Sequence, residues 1–183
     1  MAQTAANVLI GACTVSVGDY TTGTATTAMV DVGHTNGPVE WTPAFTNTEV
    51  GSEQQMGPVK IVPASQKITV KVPMLETNVS NLRIALRQAS GMLATTTSGG
   101  NLGIGNAVEQ YHRLTFVASG PVGGLARTIT FWKAMVEGVG PLVMGKAVPT
   151  VAEITFSCLA DTTQTTTGTG TSINGLYGKY VDV

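Results

Sequence analysis

Residues Val30–Leu75 read V-D-V-G-H-T-N-G-P-V-E-W-T-P-A-F-T-N-T-E-V-G-S-E-Q-Q-M-G-P-V-K-I-V-P-A-S-Q-K-I-T-V-K-V-P-M-L. A short apolar run, 28–32, enters a Gly-His-Thr-Asn-Gly turn. From Val39 to Thr48 the residues alternate: Val39, Trp41, Pro43 and Phe45 take one parity, and Glu40, Thr42, Ala44 and Thr46 the other. The period of two is that of a strand with unlike faces. Ser65–Leu75 alternates again, with Ile68, Val70 and Val72 toward a core and Lys67, Thr69 and Lys71 away from it. Two alternating runs joined by a polar, Gly-containing stretch predict an oversized β-hairpin over 39–75. Its tip, Asn47 to Val62, is expected as a mobile loop carrying Asn47, Glu49, Gly51, Ser52, Glu53, Gln54, Gln55 and Met56. Trp41 and Phe45 share the apolar parity and are expected as core anchors. Pro43 cannot donate to a ladder, which predicts an edge strand or a bulge there.

Outward from the hairpin the texture stays β. Strands are expected over 7–17, 111–119, 125–136 and 148–159, giving about seven with the hairpin and the short run before it. A helix is expected over 78–90, capped by Thr77 or Asn78, burying Leu82, Ala85, Leu86 and Ala89 and ended by Gly91. Residues 94–106 read as a flexible loop. Asp161 to Ser172 is Thr- and Gly-rich, with the composition of a linker. The apolar, aromatic tail beyond it, with Ile173, Leu176, Tyr177, Tyr180 and Val181, reads as an arm that docks on a neighbouring copy, with folding back on its own domain as the alternative. The fold class is therefore mainly β: an antiparallel β-sandwich or barrel with one flanking α-helix over 1–161, and a linker with a C-terminal arm over 162–183.

At 183 residues one domain is the default. Only 11% of residues are charged, against about 25% in ordinary domains. Threonine (28) and glycine (22) replace the missing charge. Threonine favours strands, and uncharged polar surface suits a protein whose copies cover one another, because each buried charge needs a partner. A net charge of −1 without a basic run argues against a conventional nucleic-acid-binding domain. Cys13 and Cys158 fit no metal or redox spacing; two buried free thiols are expected, with a disulfide as the alternative. No apolar run approaches the ~20 residues of a membrane span, and no positively charged, apolar leader opens the chain, so synthesis in the cytoplasm and no membrane insertion are expected.

Chemistry-bearing patterns are weak. Gly100–Gly105 (G-N-L-G-I-G) lacks the strand, helix and Lys-Ser/Thr pair of a phosphate loop. His34 and His112 have no Cys or Asp at ligand spacing and read as turn or surface histidines. Glu49 and Glu53 read as solvated loop charges. Asn78-Val79-Ser80 fits a glycosylation sequon without a secretion signal to support its use. No catalytic, cofactor-binding or metal site is expected, and no enzyme.

The order of these features resembles the major tail tube proteins of long-tailed bacteriophages. The resemblance rests on V-L-I-G-A-C-T-V-S-V-G (8–18), D-V-G-H-T-N-G-P-V-E-W-T-P (31–43), Q-K-I-T-V-K-V-P-M-L-E-T-N-V-S-N-L-R-I-A-L (66–86) and L-Y-G-K-Y (176–180). It implies a β-sandwich with a flanking helix, six copies per ring, and one sheet of each copy joining its neighbours in a continuous inner barrel. Rings would stack around a tape measure protein, with tail tip and tail terminator proteins at the ends, and double-stranded DNA would later pass through without sequence-specific binding. It places the protein in the virion tail. The hairpin tip would then contact the adjacent ring. Glu40, Thr42, Thr46, Lys67, Thr69 and Lys71 would form a polar barrel or lumen face, with Glu40 as the cross-strand partner of the lysines. Two other readings share the sequence: a tube of a contractile injection or type VI secretion system, and a carbohydrate-binding or adhesin β-sandwich, which requires exposed aromatics in a groove.

Overall fold

The computed structural model describes residues 13–20, 28–52, 55–96, 99–118, 126–146, 149–164 and 176–182. The structure is mainly antiparallel β. The strands are β1 (Cys13–Asp19), β2 (Val30–Asp31), β3 (Glu40–Ser52), β4 (Gln55–Met74), β5 (Leu93–Thr96), β6 (Gly99–Leu102), β7 (Tyr111–Ala118), β8 (Arg127–Val139), β9 (Ala152–Leu159) and β10 (Gly178–Asp182). One sheet runs β2-β1-β7-β8-β9-β4-β3, with β10 also paired to β8, while β5 and β6 form a separate ribbon. Antiparallel neighbours close in sequence reflect the turn-rich, Thr-rich chain.

The large sheet curls so that its two halves face each other. An isolated bridge between Thr35 and Met74 links the segment after β2 to the far half of the sheet, with Asn36 donating to the Pro73 carbonyl and Leu75 to that of His34. The inward residues of β1, β4, β7, β8 and β9 form one core, including Val15, Val17, Val70, Val72, Leu114, Val136, Ile154 and Phe156. These residues alternate along each strand, as a half-buried sheet requires.

The helix α1 (Val79–Ala85) follows β4. The Asn78 side chain accepts the Asn81 N–H at 2.9 Å and caps it. It stops well short of Gly91, because Arg87 takes a left-handed conformation (φ 54) and does the work expected of a C-terminal glycine. A 3-10 turn at Ser90–Met92 follows. The buried stripe is Asn81, Ile84 and Ala85, not Leu82, Leu86 and Ala89. Asn81 sets that rotation: its Nδ2 donates to the Val32 carbonyl at 2.9 Å and to the Glu76 carbonyl at 2.7 Å.

Three further expectations change. Residues expected as a loop over 94–106 are largely the β5-β6 ribbon. The loop expected over 47–62 is mostly strand, since β3 and β4 stay paired from Glu40↔Lys71 out to Ser52↔Gln55. The C-terminal residues expected to reach a neighbour fold onto their own domain: β10 pairs with β8 from Gly178↔Phe131 to Asp182↔Arg127. Among the described residues no helix is long and apolar enough to cross a membrane.

Candidate functional site

Three surface features of the chain adjoin one another: a projecting hairpin arm, a polar sheet face, and a cleft beside Trp41. The arm is the outer part of β3 and β4. Between Ile68 and Lys71, β4 is flanked by β9 on one side and β3 on the other. From Gln66 toward the tip only β3 accompanies it. Register shifts occur after Thr46 and again at Val50–Ser52, and such bulges twist and bend a ribbon. Six residues from Asn47 to Ser52 carry the arm roughly 20 Å further at ~3.3 Å per residue.

Val50, Val59, Ile61 and Val62 are all exposed on this arm. Ile61 stands opposite Glu49 and Val62 opposite Thr48, so the two neighbours point to opposite sides of the ribbon. Asn47, Glu49, Gly51, Ser52, Gln55 and Met56 all lie in the paired strands rather than in a loop. Glu53 and Gln54 lie outside the described residues.

The polar face lies on the other side of the sheet from the core. Thr42 faces Thr69 across the ladder, Thr46 faces Ser65, and Glu40 faces Lys71. The lysines find different carboxylates from the one expected. Lys67 Nζ is 2.6 Å from Glu137 Oε1 on β8, and Lys71 Nζ is 3.0 Å from Glu153 Oε1 on β9. Glu40 adds only a field. The hydrogen bond and charge of Glu153 raise the Lys71 pKa first, and Glu40 contributes last. Register explains the difference: β9 continues the sheet on the inner side of β4, and its polar parity brings Glu153 to the diagonal position. Lys133, of the same parity on β8, lies 4.2 Å from the Tyr111 ring and 5.3 Å from the Tyr20 ring, within cation–π range. The face is thus polar, with Lys67 and Lys71 each paired to a carboxylate.

Trp41 and Phe45 do face the apolar side of β3, but they are not core anchors. Trp41 is 50% exposed and Phe45 64%, because the sheet half opposite them stops short. Trp41 leans toward Phe131, with ring centroids 6.4 Å apart, and separates two depressions. The larger, about 730 Å³, is walled by Cys13, Phe116 and Ile129 on one side and Val39, Trp41 and Val70 on the other. The smaller, about 250 Å³, lies between Trp41, Ile68 and the residues Tyr177 to Tyr180 that lead into and begin β10. Tyr177 Oη donates to the Gln66 carbonyl at 2.6 Å, and the Trp132 N–H donates to the Tyr177 carbonyl at 3.1 Å. Leu176 and Tyr180 keep exposed surface, and Val181 is half-buried on the same strand. Ile173 lies outside the described residues.

His34 is exposed in its turn, but His112 is fully buried, contrary to the surface position expected. Its parity with Leu114 and Phe116 was the available signal. Burial pushes its pKa down to about 4, the nearby Arg83 guanidinium adds to this, and Asp19 opposes it. Its Nδ1 is 3.4 Å from Asp19 Oδ1, and Asp19 is held 3.3 Å from Arg83. Near neutral pH the imidazole is therefore an uncharged core group. Cys13 and Cys158 are both free thiols. Burial raises both pKa values, that of Cys158 to about 12, which keeps each protonated and poorly nucleophilic.

No protein-family model matches the chain, and no curated protein matches it.

Proposed function

We propose that this chain is the repeating subunit of a homo-oligomeric hollow tube of the kind built by the major tail tube proteins of long-tailed bacteriophages. Six copies form a ring, rings stack around a tape measure protein, and double-stranded DNA leaves through the lumen. Tail tip and tail terminator proteins close the ends, and the virion tail is where the protein acts. Its role is structural, with no catalytic step.

The observation that carries this reading is the hairpin arm. An isolated two-stranded ribbon is marginally stable in water, and this one exposes Val50, Val59, Ile61 and Val62 on both of its sides. Such a ribbon is suited to being covered by other copies. Two features accord with the same role. The outer edge of β3 has no strand on it among the described residues, and an open edge is a template for pairing with another chain. The Thr42–Thr69–Lys71 face carries compensated charge, and a lumen without surplus cations would not trap DNA through counterion release.

Purified protein imaged by negative-stain electron microscopy tests the proposal. Six-fold rings or hollow tubes are expected, and dispersed monomers at all concentrations would overturn it. One observation favours a carbohydrate-binding module instead: half-exposed Trp41 flanks a cleft, as an aromatic sugar platform would. That reading predicts dispersed monomers whose tryptophan emission shifts on addition of an oligosaccharide.

A further inference from the structure

The turn between β2 and β3 holds Asn36 followed directly by Gly37, and it is anchored to β4 at both ends. At the first end Thr35 bridges Met74. The Asn36 N–H donates to the Pro73 carbonyl and the Leu75 N–H to that of His34, each at 2.9 Å. At the second end Glu40 opens the long β3–β4 ladder opposite Lys71. Gly37, Pro38 and Val39 span the gap between the anchors. Asn36 and Gly37 are both exposed. Among the described residues, no hydrogen bond engages the Asn36 side-chain amide or the Gly37 N–H. Gly37 has φ 115, and a Cβ placed there would meet nothing within 4 Å, so the space around the pair is open to water.

We propose that Asn36 is a self-modification site whose product loosens the closure of the sheet at Thr35–Met74. The Gly37 nitrogen attacks the Asn36 side-chain carbonyl. A bond forms between that nitrogen and Cγ, the Cγ–Nδ2 bond breaks, and ammonia leaves carrying the proton given up by the nitrogen. Water then opens the succinimide ring at either carbonyl. Opening at Cγ gives aspartate, and opening at the main-chain carbonyl gives isoaspartate. Water is the sole co-reactant, and no electrons are exchanged with a partner. An intramolecular attack depends on reaching a near-attack geometry, and glycine, lacking a Cβ, leaves that approach open. The attacking species is the deprotonated nitrogen, so a Gly37 N–H engaged in a hydrogen bond would resist the step. Isoaspartate routes the main chain through Cβ and adds a backbone atom between two points fixed on the same strand. The isolated bridge is the weaker of these anchors and gives way before the β3–β4 ladder. Both products also add a negative charge to the rim of the larger cleft, which Gly37 and Asp31 both line. The proposal does not depend on tube formation.

The test holds the full chain folded at mildly alkaline pH and maps protease fragments by mass at intervals. The other Asn-Gly pair, Asn174–Gly175, is far away in the sequence and falls in a separate fragment. Asn36 should convert to aspartate and isoaspartate at a rate comparable to that of the same chain unfolded in urea. In Gly37→Ala the conversion should be at least about ten-fold slower, because the added Cβ obstructs the approach. The isoaspartyl protein, separated by its extra negative charge, should show faster amide hydrogen exchange at residue 36 and Leu75 than Asn36→Asp, which has the charge without the added backbone atom. Asn36 left intact in the folded chain while the unfolded chain converts it would overturn the proposal without reference to any variant. Equal rates in the wild type and Gly37→Ala would also overturn it. Equal exchange in the isoaspartyl protein and Asn36→Asp would overturn the loosening of the closure.

Discussion

Ile68, Val70 and Val72 of β4 are buried, whereas Val59, Ile61 and Val62 on the same strand are exposed. Both groups are β-branched apolar residues in a paired strand. The difference is the third strand. β9 runs beside Ile68–Met74 and ends there, so the inner half of the hairpin becomes sheet interior and the outer half a free ribbon. Alternation along a strand determines which side a residue faces. Whether anything covers that side is decided by distant chain, here by where β9 and the opposing half of the sheet stop.

The widest separation between the two halves should come from truncating a core ring and an arm residue in parallel. Phe156→Ala removes a side chain with no exposure and should cost roughly 3–5 kcal/mol in denaturant unfolding. Ile61→Ala on the arm should stay within about 0.5 kcal/mol, as surface substitutions do, while reducing assembly. Equal losses at both sites would show that the arm is packed in the monomer.

Acid should act on the domain body and spare the arm. His112 has a pKa of about 4 in the fold, below the ~6.5 of an unfolded histidine. Between these values the unfolded chain binds more protons, so stability falls as pH drops from about 6.5 to about 4. It should be unaffected above that window. At 1.36 kcal/mol per pKa unit the full loss is about 3 kcal/mol. Urea titrations at closely spaced pH values, repeated on His112→Phe, check it: the variant should lose most of this slope.

Smaller again is the effect at β10. A Cβ on Gly178 would collide with the Thr130 carbonyl oxygen. Gly178→Val should therefore loosen β10 at a cost of about 1–3 kcal/mol, seen as faster amide exchange at Tyr180 and Val181 with exchange in β4 unchanged.

Much of the inner hairpin was legible in the sequence. The parity of Val39–Thr46 and Ser65–Lys71, the edge position signalled by Pro43 and the Asn78 cap all follow from local chemistry, and local chemistry is what placed them. The outer hairpin was not, because Gly51, Gly57, Pro58 and Pro63 resemble loop punctuation, while the ladder absorbs them at bulges on an edge-flanked ribbon. Trp41 and Phe45 faced the expected way but lacked a cover that no local pattern encodes. The same holds for the lysine face: alternation put Lys67 and Lys71 together, and only the placement of β8 and β9 revealed Glu137 and Glu153 as their partners. The tail looked like a free arm because its apolar residues follow a Thr/Gly stretch. Its pairing with β8 joins residues 47 to 55 positions apart, and composition carries no trace of it.

The measurement that bears most directly on the account is assembly of a chain whose hairpin is shortened, with residues 48–62 replaced by a two-residue Asn-Gly turn. The inner ladder from Glu40↔Lys71 to Thr46↔Ser65 is retained, so the variant should melt within a few degrees of the wild type. Under conditions where the wild-type chain forms rings or tubes in the electron microscope, this variant should sediment as a monomer. Tubes of normal appearance from the shortened chain, or a monomer that no longer folds, would contradict the claim that the outer hairpin serves assembly rather than the domain itself.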